Sequence, residues 1–193
     1  MGSWGAGLRA GPSRLNNAAD MTTLMQERPE DGPAIETLID ASFGGDRFKK
    51  TVYKFRDGVP PVPELCFVAY DRGRLVGSLR FWPILIAGKT EAILLGPLAV
   101  DGSRRGQGIG AALMWHGLAE AQRQGHRIVI LVGDYDYYVK FGFRREPCVR
   151  LDLPGWVDRK RFLARALVPG AVDNLAGMIG KWVPAAERPR DVA

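Results

Sequence analysis

The sequence predicts one α/β domain in which helices flank a mixed, mostly antiparallel sheet, and three observations predict it. Apolar segments separated by short turns indicate strands that lie side by side in an antiparallel meander. A glycine-rich loop follows the third of these segments and leads into an amphipathic helix. A further buried strand comes directly after that helix. The 193 residues suit one domain with a sizeable core.

The composition excludes several classes of protein. Apolar residues make up 46% of the chain and charged residues 25%, as in ordinary globular proteins. No apolar run reaches the ~20 residues that a membrane-spanning helix needs, so no membrane partner is expected. Cys66 and Cys148 lie far apart with no paired spacing, which argues against a zinc site and a disulfide scaffold. We therefore expect no metal, and a reducing cytoplasmic location.

The net charge of +6 is unevenly distributed. Between Arg144 and Arg165 lie seven basic and three acidic side chains. A solvated face is the simplest interpretation, and such a surface also suits nucleic acid, membrane phosphates or an anionic small molecule. Because no run of basic residues interleaved with aromatic residues occurs, nucleic acid is not an expected partner.

The two ends of the chain are set apart from the predicted domain. Residues 1–20 are rich in glycine, alanine and asparagine and lack the apolar core of a signal peptide. We expect a flexible extension there, a domain over residues 21–170 and a weakly determined C-terminal tail over residues 171–193.

The first elements of the domain are predicted to be a short strand and two helices. Asp31 is placed to cap the first helix, and Pro33 suits its first turn. Residues 46–58 are predicted to form a second amphipathic helix. The apolar positions at helical spacing are Ile35, Leu38, Ile39 and Phe43 in the first helix and Phe48, Val52 and Phe55 in the second.

Three strand segments come next. Residues 65–70 and 75–88 flank a turn at Asp71–Arg74 and predict an antiparallel hairpin. A second turn leads to a third strand over residues 91–100. Pro97 cannot donate a hydrogen bond to a neighbouring strand, so we expect a bulge or an unpaired edge there.

The second half of the domain alternates helix and strand. A helix is expected over about residues 108–124, with Gly125 as its stop. Residues 127–133 predict a buried strand, and residues 134–143 a short helix followed by a turn. The segment 144–170 alternates enough for one or two strands.

The loop before the long helix carries three alternating glycines, Gly106, Gly108 and Gly110. A helix N-terminus has unpaired N–H groups and a partial positive charge. Glycines let those groups approach an anion without interference from a Cβ atom, and phosphate is the natural ligand. The spacing admits two interpretations, a dinucleotide site and a coenzyme A site.

The first interpretation is a nicotinamide-dinucleotide site, because Gly106-x-Gly108-x-x-Ala111 matches the G-x-G-x-x-[GA] pattern and Asp134 ends the next strand. The surroundings fit that pattern poorly. Residues 101–105 separate the glycines from the preceding strand, and the strands before the loop are predicted to be antiparallel. An oxidoreductase is therefore the weaker alternative.

The second interpretation starts at Arg105. Arg105-x-x-Gly108-x-Gly110 at the start of a helix resembles the pyrophosphate loop of the GNAT superfamily of N-acetyltransferases, whose pattern is [RQ]-x-x-G-x-[GA]. The segment LGPLAVDGSRRGQGIGAAL resembles that family's strand, loop and helix, and YYVKFGF resembles its later segment. The resemblance covers residues 65–143 and implies an acetyltransferase domain over residues 21–170, similar to bacterial members of unknown substrate.

The resemblance implies a GNAT-type sheet that is splayed between its fourth and fifth strands, with acetyl-CoA in the gap as cosubstrate. The loop backbone would cradle the pyrophosphate, and the preceding strand would pair with the pantetheine arm. A backbone N–H near Leu98 would polarise the thioester carbonyl. The residues implied to bind the cosubstrate are Leu98, Ala99, Val100, Arg105, Gly106, Gln107, Gly108, Ile109, Gly110 and Ala111.

The resemblance also implies direct transfer of the acetyl group to a primary amine. Tyr138 would be the general acid that protonates the departing thiolate, and Tyr137 is a weaker candidate. Asp134 is better suited to capping the short helix than to acting as a base. The other candidate bases, none of which stands out, are Glu91, Asp136, His116 and His126.

The acceptor is expected to be a small-molecule or peptide amine, and the sequence does not identify it. The basic C-terminal segment, with Arg159 and Arg161, suits an acceptor that carries a carboxylate or phosphate. A noncatalytic acyl-CoA-binding protein stays open as an alternative, and a homodimer is compatible with the sequence. The aromatic residues that could line an acceptor pocket are Phe43, Phe48, Tyr53, Phe81, Trp82 and Trp156.

Overall fold

The computed structural model describes residues 22–188, so the extension expected over residues 1–20 lies outside the described residues. The strands are β1 (Thr22–Gln26), β2 (Phe67–Asp71), β3 (Arg74–Ile86), β4 (Thr90–Val100), β5 (Ile128–Val132), β6 (Leu151–Asp152), β7 (Phe162–Ala166) and β8 (Gly177–Lys181). The helices are α1 (Gly32–Phe43), α2 (Ile109–Arg123) and the short α3 (Tyr135–Tyr138). None of these helices is both long and apolar enough to cross a membrane.

The main path of the sheet runs β1-β2-β3-β4-β5-β7, and β1 to β4 form an antiparallel meander. β4 and β5 are parallel but pair only where Ile93 faces Val129 and Leu94 faces Ile130. β7 is antiparallel to β5. Beyond the two paired positions β4 and β5 part, which confirms the prediction of a mixed sheet splayed between its fourth and fifth strands.

β4 is irregular where it parts from β5. Its register with β3 slips between Leu95 and Leu98, so Gly96 and Pro97 stand opposite a single residue of β3. This arrangement is a β-bulge and confirms the expectation drawn from Pro97. The Gly96–Pro97 peptide is cis, and Gly96 has a φ of 121°, which only glycine adopts readily.

The two long helices cover opposite faces of the sheet. α1 packs Ile35 and Ile39 against Val68 of β2, while α2 packs Leu113 into the cluster that contains Phe67. Phe67 and Val68 are consecutive residues of one strand, and consecutive side chains of a strand point to opposite faces. The sheet is therefore enclosed between the helices, as predicted.

The predicted start of α1 is confirmed, but the capping role of Asp31 is wrong. The helix begins at Gly32 with Pro33 in its first turn, and the Asp31 side chain makes no capping bond to it. Instead, the buried carboxylate accepts from the Arg28 N–H at 2.8 Å and from the Tyr70 hydroxyl at 2.6 Å. A buried carboxylate needs such donors, and here they fasten the turn before α1 to β2.

The second amphipathic helix predicted after α1 is also wrong. Two 3-10 helices, Gly45–Lys49 and Thr51–Phe55, stand in its place, and Lys50 between them has extended backbone. The adjacent β-branched residues Thr51 and Val52 disfavour a continuous α-helix because their χ1 freedom is restricted there.

The segment set apart as a C-terminal tail contributes to the sheet. Within residues 171–193, β8 pairs antiparallel with Ile84–Ile86 of β3 and parallel with β6. Ile179 of β8 is buried. The sequence pattern does not predict this strand, because two of its five residues are glycine.

Candidate functional site

Two adjoining cavities open where β4 and β5 part. The smaller, which we call the groove, has a volume of about 560 Å³ and runs along the end of β4 to the start of α2. The larger, which we call the chamber, has a volume of about 750 Å³ and lies beside the β4 bulge and the two 3-10 helices. Phe43, Leu98 and Tyr138 line both, so the gap in the sheet connects the two cavities.

The groove ends at the first turn of α2. Gly106 and Gly108 have φ values of 81° and 83°, in the left-handed region that favours glycine. A backbone hydrogen bond runs from the Ala112 N–H to the Gly108 carbonyl, and the N–H groups of the preceding turn have no intrahelical acceptor. These N–H groups and the positive end of the helix dipole make this turn suitable for an anion.

Most of the residues predicted to bind a cofactor line this groove. Gln107 does not: it is exposed, and its amide oxygen accepts from Arg104 at 3.5 Å. Strand and loop thus form one continuous surface with a strand edge at one end and a helix N-terminus at the other. The predicted residues in the lining are Leu98, Ala99, Val100, Arg105, Gly106, Gly108, Ile109, Gly110 and Ala111.

Tyr137 lies across the first turn of α2. A Cβ atom on Gly110 would stand 2.8 Å from the Tyr137 hydroxyl oxygen, so only glycine at this position leaves room for that hydroxyl. The Lys140 ammonium lies 4.2 Å from the centroid of the Tyr137 ring. Burial raises the pKa of Tyr137. Tyr137 lines the groove but not the chamber.

Tyr138 stands at the junction of the groove and the chamber. A Cβ atom on Gly133 would collide with its ring, so the glycine after β5 makes room for the tyrosine. The ring packs edge-on against Tyr137, with centroids 5.0 Å apart. Burial, then the neighbouring Tyr137, raise the pKa of Tyr138 well above its ordinary value, against an opposing effect of Arg161. The phenol is therefore protonated at neutral pH and able to donate a proton.

Two ion pairs fix the loop between β4 and α2. Arg104 pairs with the buried Asp71 at the end of β2, and Arg74 pairs with Asp101. The Asp101 carboxylate also accepts from the Ser103 N–H at 2.9 Å. Sequence reasoning missed these pairs. The predicted hairpin turn, which carries Asp71 and Arg74 at the same end of the sheet as the loop, is the signal that could have suggested them.

Two segments distant in sequence form one wall of the chamber. The Thr51 hydroxyl donates to the Trp156 carbonyl at 2.9 Å, and the Lys54 ammonium donates to the Pro154 carbonyl at 3.0 Å. A Cβ atom on Gly155 would stand 2.8 Å from the Thr51 hydroxyl oxygen. The 3-10 helices and the loop around Gly155 are therefore held together at close range.

The aromatic residues predicted to meet an acceptor divide into three groups. Phe48 is 63% exposed and packs edge-on against Tyr53 outside the lining. The structure places Phe43, Tyr53 and Trp156 in the chamber lining and buries Phe81 and Trp82 in the core.

Basic side chains outnumber acidic ones in the chamber lining. Arg47 and Lys49 are paired with carboxylates of α1 and of their own turn. Asp158 accepts a hydrogen bond from a backbone N–H at 2.9 Å. Arg56 and Arg161 form no ion pair within residues 22–188. Burial lowers the pKa of Arg56 to about 10, so its guanidinium is still charged at neutral pH.

The structure gives Arg159 a different role from the expected contact with an acceptor. Its guanidinium donates to the Leu151 carbonyl at 2.6 Å and to the Val149 carbonyl at 2.9 Å. It does not line either cavity, whereas Arg161 lines the chamber. Arg159 therefore secures the turn before β6.

The candidate bases are engaged elsewhere or lie away from the gap. Asp134 lines the groove, but its side chain caps α3, as predicted. The carboxylate accepts a hydrogen bond from the Asp136 N–H at 3.3 Å. Glu91 pairs with Arg188 at 2.6 Å. His116 and His126 line neither cavity.

The cysteines and the acidic residues offer no further reactive centre in the part of the chain that the structure describes. Cys66 and Cys148 are both buried and free. Burial raises the pKa of each thiol to about 12, so neither is a thiolate nucleophile at neutral pH. No cluster of three histidine, cysteine or acidic residues between Thr22 and Arg188 could hold a metal ion.

Sequence comparison finds relatives of the whole domain. The sequence model described as "Acetyltransferase (GNAT) family" matches residues 32–143. The Escherichia coli protein named "Uncharacterized N-acetyltransferase YhbS" is 32% identical over 158 residues, which are 79% of this chain and 92% of that protein.

Structure comparison gives the same picture. The crystal structure of the Escherichia coli GNAT family N-acetyltransferase YhbS in complex with CoA has a TM-score of 0.73 and 30% identity, and the match covers 86% of this chain and 93% of that one. A GNAT family acetyltransferase from Brucella melitensis in complex with acetyl-CoA has a TM-score of 0.62 and 27% identity, with 84% and 96% covered.

Proposed function

This chain belongs to the acetyltransferase (GNAT) family, and we propose that it transfers the acetyl group of acetyl-CoA directly to a primary amine of a small molecule or peptide. The observation that carries this proposal is the parting of β4 and β5 after Leu94 and Ile130. The resulting gap has a glycine-rich helix N-terminus at one end and a partly buried tyrosine, Tyr138, at the other.

The groove suits coenzyme A because its two ends offer different chemistry. The first turn of α2 would hold the pyrophosphate through its N–H groups, as the left-handed Gly106 and Gly108 allow. The β4 edge from Leu98 to Val100 is unpaired on the β5 side and would pair with the amide groups of the pantetheine arm, as an added strand would. Acetyl-CoA, when bound, supplies an activated acetyl thioester.

Tyr138 would act as the general acid. Its position in the lining of both groove and chamber supports this role, because a thioester sulfur and an acceptor amine would meet there if each ligand occupied its cavity. Like an ordinary tyrosine, Tyr138 keeps its proton at neutral pH, the more so because its pKa is raised, and that proton is available to the departing thiolate. The Leu98 N–H, beside the β4 bulge, would stabilise the negative charge that develops on the carbonyl oxygen.

The amine must reach the site unprotonated or lose its proton after the attack. Asp134 is the carboxylate that lines the groove, and its side chain caps α3. We therefore propose no protein base, and solvent in the chamber would accept the proton.

The alternatives have less support. A nicotinamide-dinucleotide site requires a parallel sheet with the glycines directly after a strand. Here β4 is antiparallel to β3, and a 3-10 turn at Gly102–Arg104 precedes the glycines. A noncatalytic acyl-CoA-binding protein would have no need of a partly buried tyrosine at the junction of the two cavities. The two buried, unpaired thiols support the cytoplasmic location that we include in the proposal.

A thermal shift measurement with acetyl-CoA, CoA and NADH, followed by an assay of free thiol release with an amine panel, tests the proposal. A ligand at a hundred times its dissociation constant stabilises the fold by about 2.7 kcal/mol. We expect both CoA compounds, and not NADH, to raise the midpoint temperature of unfolding. With acetyl-CoA, at least one amine should cause the release of free thiol. Stabilisation by NADH alone, or by none of the three, would contradict the proposal, and CoA binding with no turnover would favour the noncatalytic alternative.

A further inference from the structure

The chamber contains one guanidinium whose environment the proposed acetyl transfer does not explain. Arg56 follows the second 3-10 helix, and its Cζ atom lies 4.4 Å from the Tyr53 ring centroid and 4.6 Å from the Trp82 ring centroid. Its Nε is buried and has no hydrogen-bond partner. The fold thus places a positive charge against two aromatic rings with no carboxylate paired to it within residues 22–188.

A buried charge without a partner is costly, and proteins normally pair it or expose it. The other buried arginines of the same region follow that rule. Arg47 pairs with Glu36, and Arg80 forms hydrogen bonds with both carboxylate oxygens of Glu27 at 2.7 and 2.8 Å. Contacts with aromatic rings compensate Arg56 only in part, because they are weaker than a pairing with a carboxylate in a desolvated setting. Arg56 therefore has donor capacity that a ligand in the chamber can use.

The guanidinium lies next to the proposed reaction centre. Its Nη2 atom is 3.6 Å, and the Leu98 backbone nitrogen 3.9 Å, from the point that a Cβ atom on Gly96 would occupy. Gly96 lines the chamber at the β4 bulge. A group in that space would touch both the arginine and the strand residue whose N–H is proposed to face the thioester.

We propose that Arg56 is a specificity-determining residue that binds an anionic group of the acceptor, so that the acceptor is an amine with a carboxylate or phosphate close to the reacting nitrogen. This inference rests on the proposed acetyl transfer. Both anions offer oxygen pairs that match the planar fork of a guanidinium. The desolvated setting strengthens such a contact, and Arg161 at the chamber wall adds a second positive charge.

The test compares matched amines that differ in one anionic group. The probes are phenylalanine with phenylalaninamide, and O-phosphoethanolamine with ethanolamine. Each is measured as kcat/KM for thiol release from acetyl-CoA, and as a thermal shift on the CoA-saturated protein. We expect the anionic member of at least one pair to be preferred about tenfold or more, because a charge-assisted hydrogen bond in a desolvated site discriminates at that level. The pair that shows the preference identifies carboxylate or phosphate as the anion.

Arg56→Gln should remove the preference while leaving the dissociation constant of CoA unchanged, and Arg56→Lys should retain part of it because the charge stays but the planar fork is lost. Lys49→Gln is the matched control: it removes a charge from the chamber rim, where Lys49 is 82% exposed and paired with Asp46, and it should keep the preference. Thermal unfolding confirms that each variant is folded.

The outcomes separate this inference from the proposed function. If the wild-type protein does not bind CoA, the proposed function itself is wrong. CoA binding with no difference in rate or thermal shift between the charged and neutral members of both pairs overturns the role of Arg56 alone. An equal loss of kcat with charged and neutral amines in Arg56→Gln would also overturn it, since that result assigns the guanidinium to the acetyl group rather than to the acceptor.

Discussion

The groove and the chamber meet at Tyr138 but are built in different ways. Most residues that line the groove come from one stretch of the chain, from the end of β4 through the loop into α2, and this stretch offers mainly backbone N–H groups. The chamber is made largely by side chains from the 3-10 helices, the β4 bulge and the loop around Gly155. The first and last of these segments are distant in sequence and meet through hydrogen bonds such as Thr51 to Trp156. A backbone site tolerates only the conformations that its glycines allow, whereas a side-chain site can change its ligand by a single substitution.

Loss of the Tyr138 hydroxyl, at the junction of the two regions, should reduce activity more than any other change. Tyr138→Phe should lower kcat about 10²–10³-fold with little change in the KM for acetyl-CoA, because the ring stays in place while the proton donor is lost. Steady-state kinetics measure the two constants. Tyr135→Phe, whose ring lines neither cavity, is the control and should retain activity. Equal activity of the two variants would remove Tyr138 from the chemistry.

A change confined to the groove should act on cofactor affinity. Gly108→Asp should weaken CoA binding about a hundredfold, because a carboxylate and a Cβ atom would then face the pyrophosphate at a helix N-terminus. Calorimetry measures the dissociation constant. Gly125→Asp is a matched control at the other end of α2, with a φ of 86° and nothing within 4 Å of the added Cβ atom. If both variants bound CoA equally, the groove would not be the pyrophosphate site.

Beyond the chamber, Arg159 should matter for stability alone. Arg159→Gln should lower the free energy of unfolding by about 1–2 kcal/mol, because it removes hydrogen bonds to the Leu151 and Val149 carbonyls. Denaturant unfolding measures the loss, and the neighbouring Lys160→Gln serves as the control. A raised KM for the acceptor in Arg159→Gln would show that the guanidinium reaches the chamber after all.

Ionisation of Tyr138 should have no visible effect on the pH dependence of kcat near neutral pH. The raised pKa of Tyr138 means that its protonated, proton-donating form persists to higher pH than that of an ordinary tyrosine. The profile of kcat against pH should therefore show no decline due to Tyr138 on the alkaline side up to about pH 10, the ordinary tyrosine value. A decline between about pH 8 and 9 that disappears in Tyr138→Phe would contradict this expectation.

The difference between the two regions also explains what could be predicted from sequence. The loop was predictable because Gly106 and Gly108 occupy left-handed conformations and leave a periodic signature before a helix. The meander and the bulge at Pro97 followed from turn residues and from the missing N–H of proline. These features are local, so the sequence records them directly.

The chamber was not predictable, because it depends on contacts between segments that are distant in the sequence. The helix expected over residues 46–58 is broken at Lys50, and this break places Arg56 in the chamber. Nothing local marks Arg56 as different from any arginine on a helix surface. Its importance comes from its contacts with Trp82 of β3 and Gly96 of β4. It also comes from the nearby carboxylates of Glu27 and Glu36, which pair with other arginines and leave Arg56 without a carboxylate partner in the part of the chain that the structure describes.

Hydrogen exchange with and without CoA shows whether the gap between β4 and β5 holds the cosubstrate. CoA should slow exchange of the backbone amides at residues 98–100 and 105–111 and leave those of β1 and β2 unchanged. Slowed exchange elsewhere, with no change at these two segments, would show that CoA does not bind in the gap.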